Sequence, residues 1–196
     1  MEVKVRADHE AVRAELAESD AEPLGAVEQV DTYYDAPDRD FAETDEALRI
    51  RRETVVAPEP DEYGGETDPG EPEPTAETET TKVTYKGPLV ETESKTREEY
   101  ETAVADGEAL AGVLDGLGYE PAATVEKHRE RFALDDYVVT LDTVTDLGTF
   151  VEVERETTRD RVTAVRDGAR ELLDRLGLDP DEQIRTSYLG LLLDGT

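Results

Sequence analysis

Cysteine is absent from all 196 residues, and histidine is nearly so, with His9 and His128 the two present. The first absence excludes disulfides, thiolate metal sites and cysteine nucleophiles. The second leaves too few nitrogen donors for a zinc site of the usual kind. His9 falls at the start of a helix-like stretch and reads as a solvated first-turn residue, and His128 falls on the strand face opposite Lys127 and Arg129. There is no apolar signal region at the N-terminus and no run near the roughly 18 apolar residues that span a bilayer. A soluble, cytoplasmic protein with no membrane partner is expected.

Basic residues are also in short supply. Against 51 acidic residues stand 21 basic ones, a formal charge of -30. That sign argues against a nucleic-acid partner, whose phosphates demand a basic surface. An acidic coat suits a protein working in strong salt, where carboxylates keep the surface hydrated and repulsion is screened within about 3 Å at 1 M. The length suffices for one domain, 1–196, with a real core.

What the chain does contain is charge alternating at the period of a strand. In the stretch from Leu141 to Glu154, LDTVTDLGTFVEVE, Glu152 and Glu154 share one face while Val151 and Val153 share the other. Other predicted strands carry basic residues at the same period: Lys4 in EVKVR, Arg49 and Arg51 in ALRIR, Lys82 and Lys86 in KVTYK, and Lys127, Arg129 and Arg131 in EKHRER. Each such face is either solvated or turned into a wet interior. Arginine pairs on one face suit bidentate grip on phosphate oxygens.

Reading on, Asp8 is a plausible cap for a helix to about Glu18, with Val12 and Leu16 inward. Pro23 and Gly25 act as breakers before a strand at Val27–Tyr34. Residues 54–81 hold nine acidic residues, no basic ones and five of the ten prolines, a composition that reads as a disordered insertion. A strand is expected in TREEYETAV, then a helix from Asp106 or Gly107 with Leu110, Val113, Leu114 and Leu117 inward. Strands Thr124–Leu134 and Tyr137–Thr143, an amphipathic helix over 158–176 and a short helix at Ser187–Leu193 complete the chain. The fold class is α+β, mainly β: about eight antiparallel strands closing into a barrel, helices packed outside and charge facing in. Such a basic lumen needs an anion, and carboxylates nearby suit Mg²⁺ or Mn²⁺.

The order EVKVR, DTYYDAP, ALRIRRE, TYKGP, TREEYE, VEKHRERF, LDTVTDLGTFVEVE, SYLGLLL resembles the CYTH superfamily, most closely class IV adenylate cyclases and thiamine triphosphatases, in an acidic form of haloarchaeal type. The resemblance implies a triphosphate tunnel. By position it implies phosphate contacts and catalytic charge from Lys4, Arg51, Lys86, Lys127 and Arg129, further substrate contacts from Arg49 and Arg97, and a catalytic Asp142. Glu2, Glu99, Glu101, Glu152 and Glu154 are the implied Mg²⁺ or Mn²⁺ ligands. The family's signature is Glu-x-Glu-x-Lys, of which this chain supplies Glu2 and Lys4. The implied activity is conversion of ATP to cyclic AMP and pyrophosphate. Hydrolysis of inorganic, thiamine or nucleotide triphosphate, and binding of organic phosphates without turnover, are the alternatives. The implied partner is a triphosphate-bearing small molecule, with a homodimer left open.

Overall fold

The computed structural model describes residues 1–56, 79–88, 98–158 and 161–195. Among them the chain runs β1 (Glu2–Arg6), α1 (His9–Glu18), β2 (Glu22–Asp35), α2 (Phe41–Thr44), β3 (Ala47–Val56), β4 (Glu79–Lys86), β5 (Glu99–Val104), α3 (Gly107–Gly116), β6 (Glu120–Leu134), β7 (Tyr137–Val144), β8 (Gly148–Glu154), α4 (Val162–Arg175) and α5 (Tyr188–Asp194). The strands form one eight-stranded sheet in the order β1-β8-β7-β6-β2-β3-β4-β5. That order is open: β1 and β5 stand at its ends, so hydrogen bonding does not close the expected barrel. One physical reason lies at β1, where the Lys4 carbonyl accepts from the Ile184 N–H at 2.7 Å and so is already satisfied by the C-terminal segment.

Contacts divide the chain into two compact units, one including Met1–Val27 and the residues from Lys127 onward, the other including Glu28–Val55 and the residues up to Glu126. In the first, β1, β8, β7 and the end of β6 pair antiparallel, with Val3 opposite Val153, Val139 opposite Val153 and Phe132 opposite Val139. Strand alternation therefore collects Val3, Val5, Phe132, Leu134, Val139, Leu141, Val151 and Val153 on one face. Helices α1 and α4 cover it with Val12, Leu16, Ala169, Leu172 and Leu173. The i, i+4 spacing of Val12 and Leu16 and the 165–169–172–173 stripe make each helix apolar on the side that meets the sheet. Helix α1 starts where Asp8 accepts from the Glu10 N–H at 2.8 Å, as its sequence predicts.

The second unit has a smaller core of Tyr34, Ile50 and Leu114, joined by Leu48, Leu110, Ala111 and Tyr119. Here α3 departs from expectation, because Val113 and Leu117 are 56 and 63 % exposed. The stripe that packs is Leu110, Ala111 and Leu114, with the small Ala111 completing the turn. Two strands also begin earlier than predicted. β2 starts before Pro23 and passes through Gly25, whose φ of +95° is open to glycine, and β6 begins at Glu120, ahead of the Thr124 start expected for it. At the two ends of the stretch read as a disordered insertion, residues 54–56 end β3 and residues 79–81 begin β4, and the rest of it, 57–78, lies outside the described residues.

Candidate active site

The opposite face of the first unit carries the charge, and the register sorts it into rows. Glu2 and Glu154 form one pair, and Lys4, Glu152, Thr140 and Arg131 the next row. Arg6, Phe150, Asp142 and Arg129 follow, and Lys127 stands opposite Val144. Directly opposed residues of an antiparallel ladder project to the same side, so these side chains share a surface.

Arg129 organises it. Its Nε donates to Asp142 Oδ1 at 2.7 Å, and its Nη2 donates to Asp142 Oδ2 at 2.5 Å and to Glu152 Oε2 at 2.7 Å. Lys4 Nζ lies 4.0 Å from Glu152 Oε1. Tyr188, set in place by α5, donates its hydroxyl to Asp142 Oδ2 at 2.9 Å and packs edge-on against Phe150. The Lys4 and Lys127 ammonium groups stand 4.2 and 5.4 Å from the centre of its ring, within range of cation–π attraction. Ser187 fixes α5 by accepting from the Gly190 N–H at 3.1 Å.

Titration in this cluster follows from burial and partners. Burial pushes the Asp142 carboxyl up, but Arg129, Lys127 and the Tyr188 hydroxyl together hold it below the usual carboxylate range. Burial and the nearby Glu2 push Glu152 above its ordinary value, against the pull of Arg129. Tyr188 is raised by burial and by the carboxylates of Glu152 and Asp142. Because Asp142 is depressed in the folded state, it contributes stability above its unfolded value of about 3.9, and that contribution disappears as pH falls through the lower folded value. An Asp142→Asn variant is therefore expected to be less stable than the parent at neutral pH. The gap should close below about pH 4 when unfolding free energies are compared across a pH series. A gap that is the same at all pH values contradicts this assignment.

The second unit builds a separate charged face on β2 to β5. Asp31 receives Arg51 through Nε at 2.5 Å and Nη2 at 2.6 Å, and Arg49 through Nη1 at 3.1 Å. Thr84 donates to Glu101 Oε2 at 2.9 Å, Lys82 lies 3.5 Å from Glu101, and Lys86 donates to Glu99 at 3.0 Å. Gln29 donates to Glu53 on the same face. Tyr33 is raised by burial, partly offset by Arg49.

Of the residues expected from the sequence, the fold thus gathers Lys4, Lys127, Arg129, Asp142 and Glu152 in one cluster and Arg49 and Arg51 in another. Lys86, Glu99 and Glu101 lie toward the β5 edge, Glu2 and Glu154 at the end of the first unit's face, and Arg97 outside the described residues. Asp31, Thr84 and Tyr188 were not anticipated. Gln29, Asp31 and Tyr33 alternate in VEQVDTYY, a period-2 signal that pointed to Asp31, whereas nothing in SYLGLLL distinguishes Tyr188. His9 is a correction: it is buried, not solvated, with its Nε2–H donating to the Phe150 carbonyl at 3.0 Å. The first residue of α1 sits over the edge of β8, a placement that helical periodicity alone does not reveal.

Among the described residues no three histidine or acidic side chains gather into a ready-made cation cage. The donors on the first unit's face are nevertheless all carboxylate oxygens, and Glu152 is raised in part by Glu2, a repulsion that a cation would relieve. That chemistry fits Mg²⁺ or Mn²⁺, which take one or two carboxylates and complete their shell with water and phosphate oxygens.

In the first unit the sheet thus carries helices over its apolar side and an arginine locked to carboxylates on its other side. The CYTH domain model matches residues 1–188, and the chain belongs to the CYTH family. It is 35% identical over 164 residues, 83% of this chain and 80% of the relative, to a Methanocaldococcus jannaschii protein named "Putative adenylate cyclase". A solved Pyrococcus horikoshii protein superposes with a TM-score of 0.80 at 31% identity, over 100% of this chain and 98% of that one. A Hippeastrum protein, described as a "Putative adenylyl cyclase" with a dominant triphosphatase activity, shares the fold with a TM-score of 0.62 at 16% identity, over 100 and 97% of the two chains. Among the described residues no helix is long and apolar enough to cross a membrane.

Proposed function

We propose that this protein is a metal-assisted, triphosphate-processing enzyme that converts ATP to cyclic AMP and pyrophosphate, with the first unit's charged face as the place where the phosphates are held. The observation that carries the reading is the group of buried Lys4 and Lys127 and half-buried Arg129 around Asp142 and Glu152. Three cations held on one sheet face around two carboxylates are already oriented before a polyphosphate exchanges its oxygens for those of the protein. The 35% identity to the "Putative adenylate cyclase" supports the choice of reaction.

In this reading the ribose 3′-hydroxyl gives its proton to water and its oxygen bonds the α-phosphorus as the bond from that phosphorus to the β-phosphate oxygen breaks, releasing pyrophosphate, while Arg129, Lys127 and Lys4 stabilise the charge that develops on it. Asp142, held by Arg129 and Tyr188 and kept below the usual carboxylate range, orients the guanidinium and is not the proton acceptor. Tyr188 seats both ammonium groups. Arg49 and Arg51 are proposed contacts for the same class of ligand. Glu2, Glu152 and Glu154 would hold Mg²⁺ or Mn²⁺, which supplies neutralising charge to phosphate oxygens. Glu99 and Glu101 are paired with lysines on the second unit and are weaker ligand candidates.

Triphosphate hydrolysis is the second reading, favoured by the same cluster because every contact named above is made to phosphate charge, and by the activity described for the Hippeastrum protein. Incubation with radiolabelled ATP and Mn²⁺ in molar KCl separates the readings. Cyclic AMP with pyrophosphate is the expected result. Orthophosphate without a cyclic product rejects the cyclase in favour of the triphosphatase, and binding without any product rejects both in favour of a phosphate carrier.

A further inference from the structure

Among the described residues, two buried polar atoms on the first unit's charged face lack hydrogen-bond partners, Arg131 Nε and Thr140 Oγ1. They belong to neighbouring residues, since Arg131 stands directly opposite Thr140 in the β6/β7 ladder. Thr140 in turn stands opposite Glu152, and Glu152 opposite Lys4. An orphaned buried polar atom carries a desolvation cost, and a native structure rarely tolerates two side by side without something to satisfy them. Both groups can donate, the guanidinium N–H only donating and the threonine hydroxyl rotating to suit. Two adjacent donors in a row that also contains Lys4 select an acceptor that carries negative charge.

We propose that Arg131 and Thr140 form a further oxyanion subsite that holds a phosphoryl oxygen of the bound polyphosphate, a proposal that rests on the triphosphate reading above. With it, β6 contributes Lys127, Arg129 and Arg131 at alternate positions, roughly 6.5 Å apart along the strand. Arg129 is committed to Asp142 and Glu152, whereas the Nε of Arg131 has no internal carboxylate to leave. The subsite therefore engages the phosphate chain without first breaking a protein ion pair, and it continues the row of Lys4 and Glu152 across β7 to β6.

The test is calorimetric titration of the full chain with inorganic triphosphate at fixed molar KCl, using Thr140→Val, Thr140→Ser and Arg131→Gln. Thr140→Val removes a hydroxyl that has no protein partner, so its melting temperature should equal or exceed that of the parent, while its affinity falls roughly tenfold or more, as for loss of a hydrogen bond to a charged group. Thr140→Ser should recover most of that affinity, and Arg131→Gln should lose at least as much. Parent-like affinity in both Thr140→Val and Arg131→Gln overturns the subsite and leaves a bridging water as the satisfying group. If Thr140→Val fails to fold, Arg131→Gln decides alone. Failure of the parent itself to bind inorganic triphosphate removes the underlying reading, an outcome distinct from parent binding that is indifferent to the two substitutions.

Discussion

Alanine at position 129 is expected to lower the unfolding free energy by about 3–5 kcal/mol, the range for stripping one partner from a buried ion pair. Asp142 is 0 % exposed, and Arg129 supplies it with two hydrogen bonds while supplying Glu152 with a third. Without the guanidinium, two carboxylates remain on one desolvated surface, and Lys4 at 4.0 Å from Glu152 compensates only part of that charge. Arg129→Lys restores the charge but not the planar fork, so it should recover only a fraction of the loss. Chemical unfolding in molar KCl measures both. An alanine variant within about 1 kcal/mol of the parent contradicts the idea that this arginine is the centre of the face. The same variant is expected to lose triphosphate turnover.

Asp31→Ala should give the complementary result. Asp31 is 1 % exposed and receives both Arg49 and Arg51. Its removal leaves two guanidiniums close together without the carboxylate that both hold, again a loss of about 3–5 kcal/mol. Here, however, an added anion can replace the missing carboxylate. Inorganic triphosphate should raise the melting temperature of Asp31→Ala more than that of the parent, since a ligand at one hundred times its Kd stabilises by about 2.7 kcal/mol. Equal shifts in the two proteins, across a titration that saturates both, would show that the arginine pair takes no part in anion binding.

Period-2 charge made most of these two faces legible in the sequence. Lys4, Arg49, Arg51, Lys127, Arg129 and Glu152 each sit where alternation placed them, because a strand buried on its apolar side has no freedom to slip by one residue. The helices read well for the same reason, with Val12, Leu16, Leu172 and Leu173 meeting the sheet at helical spacing. Periodicity does not say which acid answers which base. Asp31 was visible in the alternation of β2, but its two arginines come from β3, so its role depends on pairing between strands. Tyr188 and His9 are further from reach: one is a residue in an apolar heptapeptide, the other the first residue of a helix, and each acquires its role from a strand distant in the chain, Tyr188 from Asp142 and His9 from Phe150. The start of β2 was misread where Pro23 and Gly25 suggested a break, since proline is tolerated near the start of a strand. The closed barrel was inferred from alternation, which constrains faces but not edges.

The pairing of Arg129 with Asp142 and Glu152, and of Arg49 and Arg51 with Asp31, means that the protein supplies its own counter-ions on both faces. Any polyanion arriving at Arg129 has to compete with acids that are already seated there, and association becomes an exchange of one set of oxygens for another. Acids displaced in this way would stay buried, and taking up protons or a divalent cation would neutralise them. Affinity should consequently respond to pH and to divalent cation concentration even when the ligand's own charge is constant.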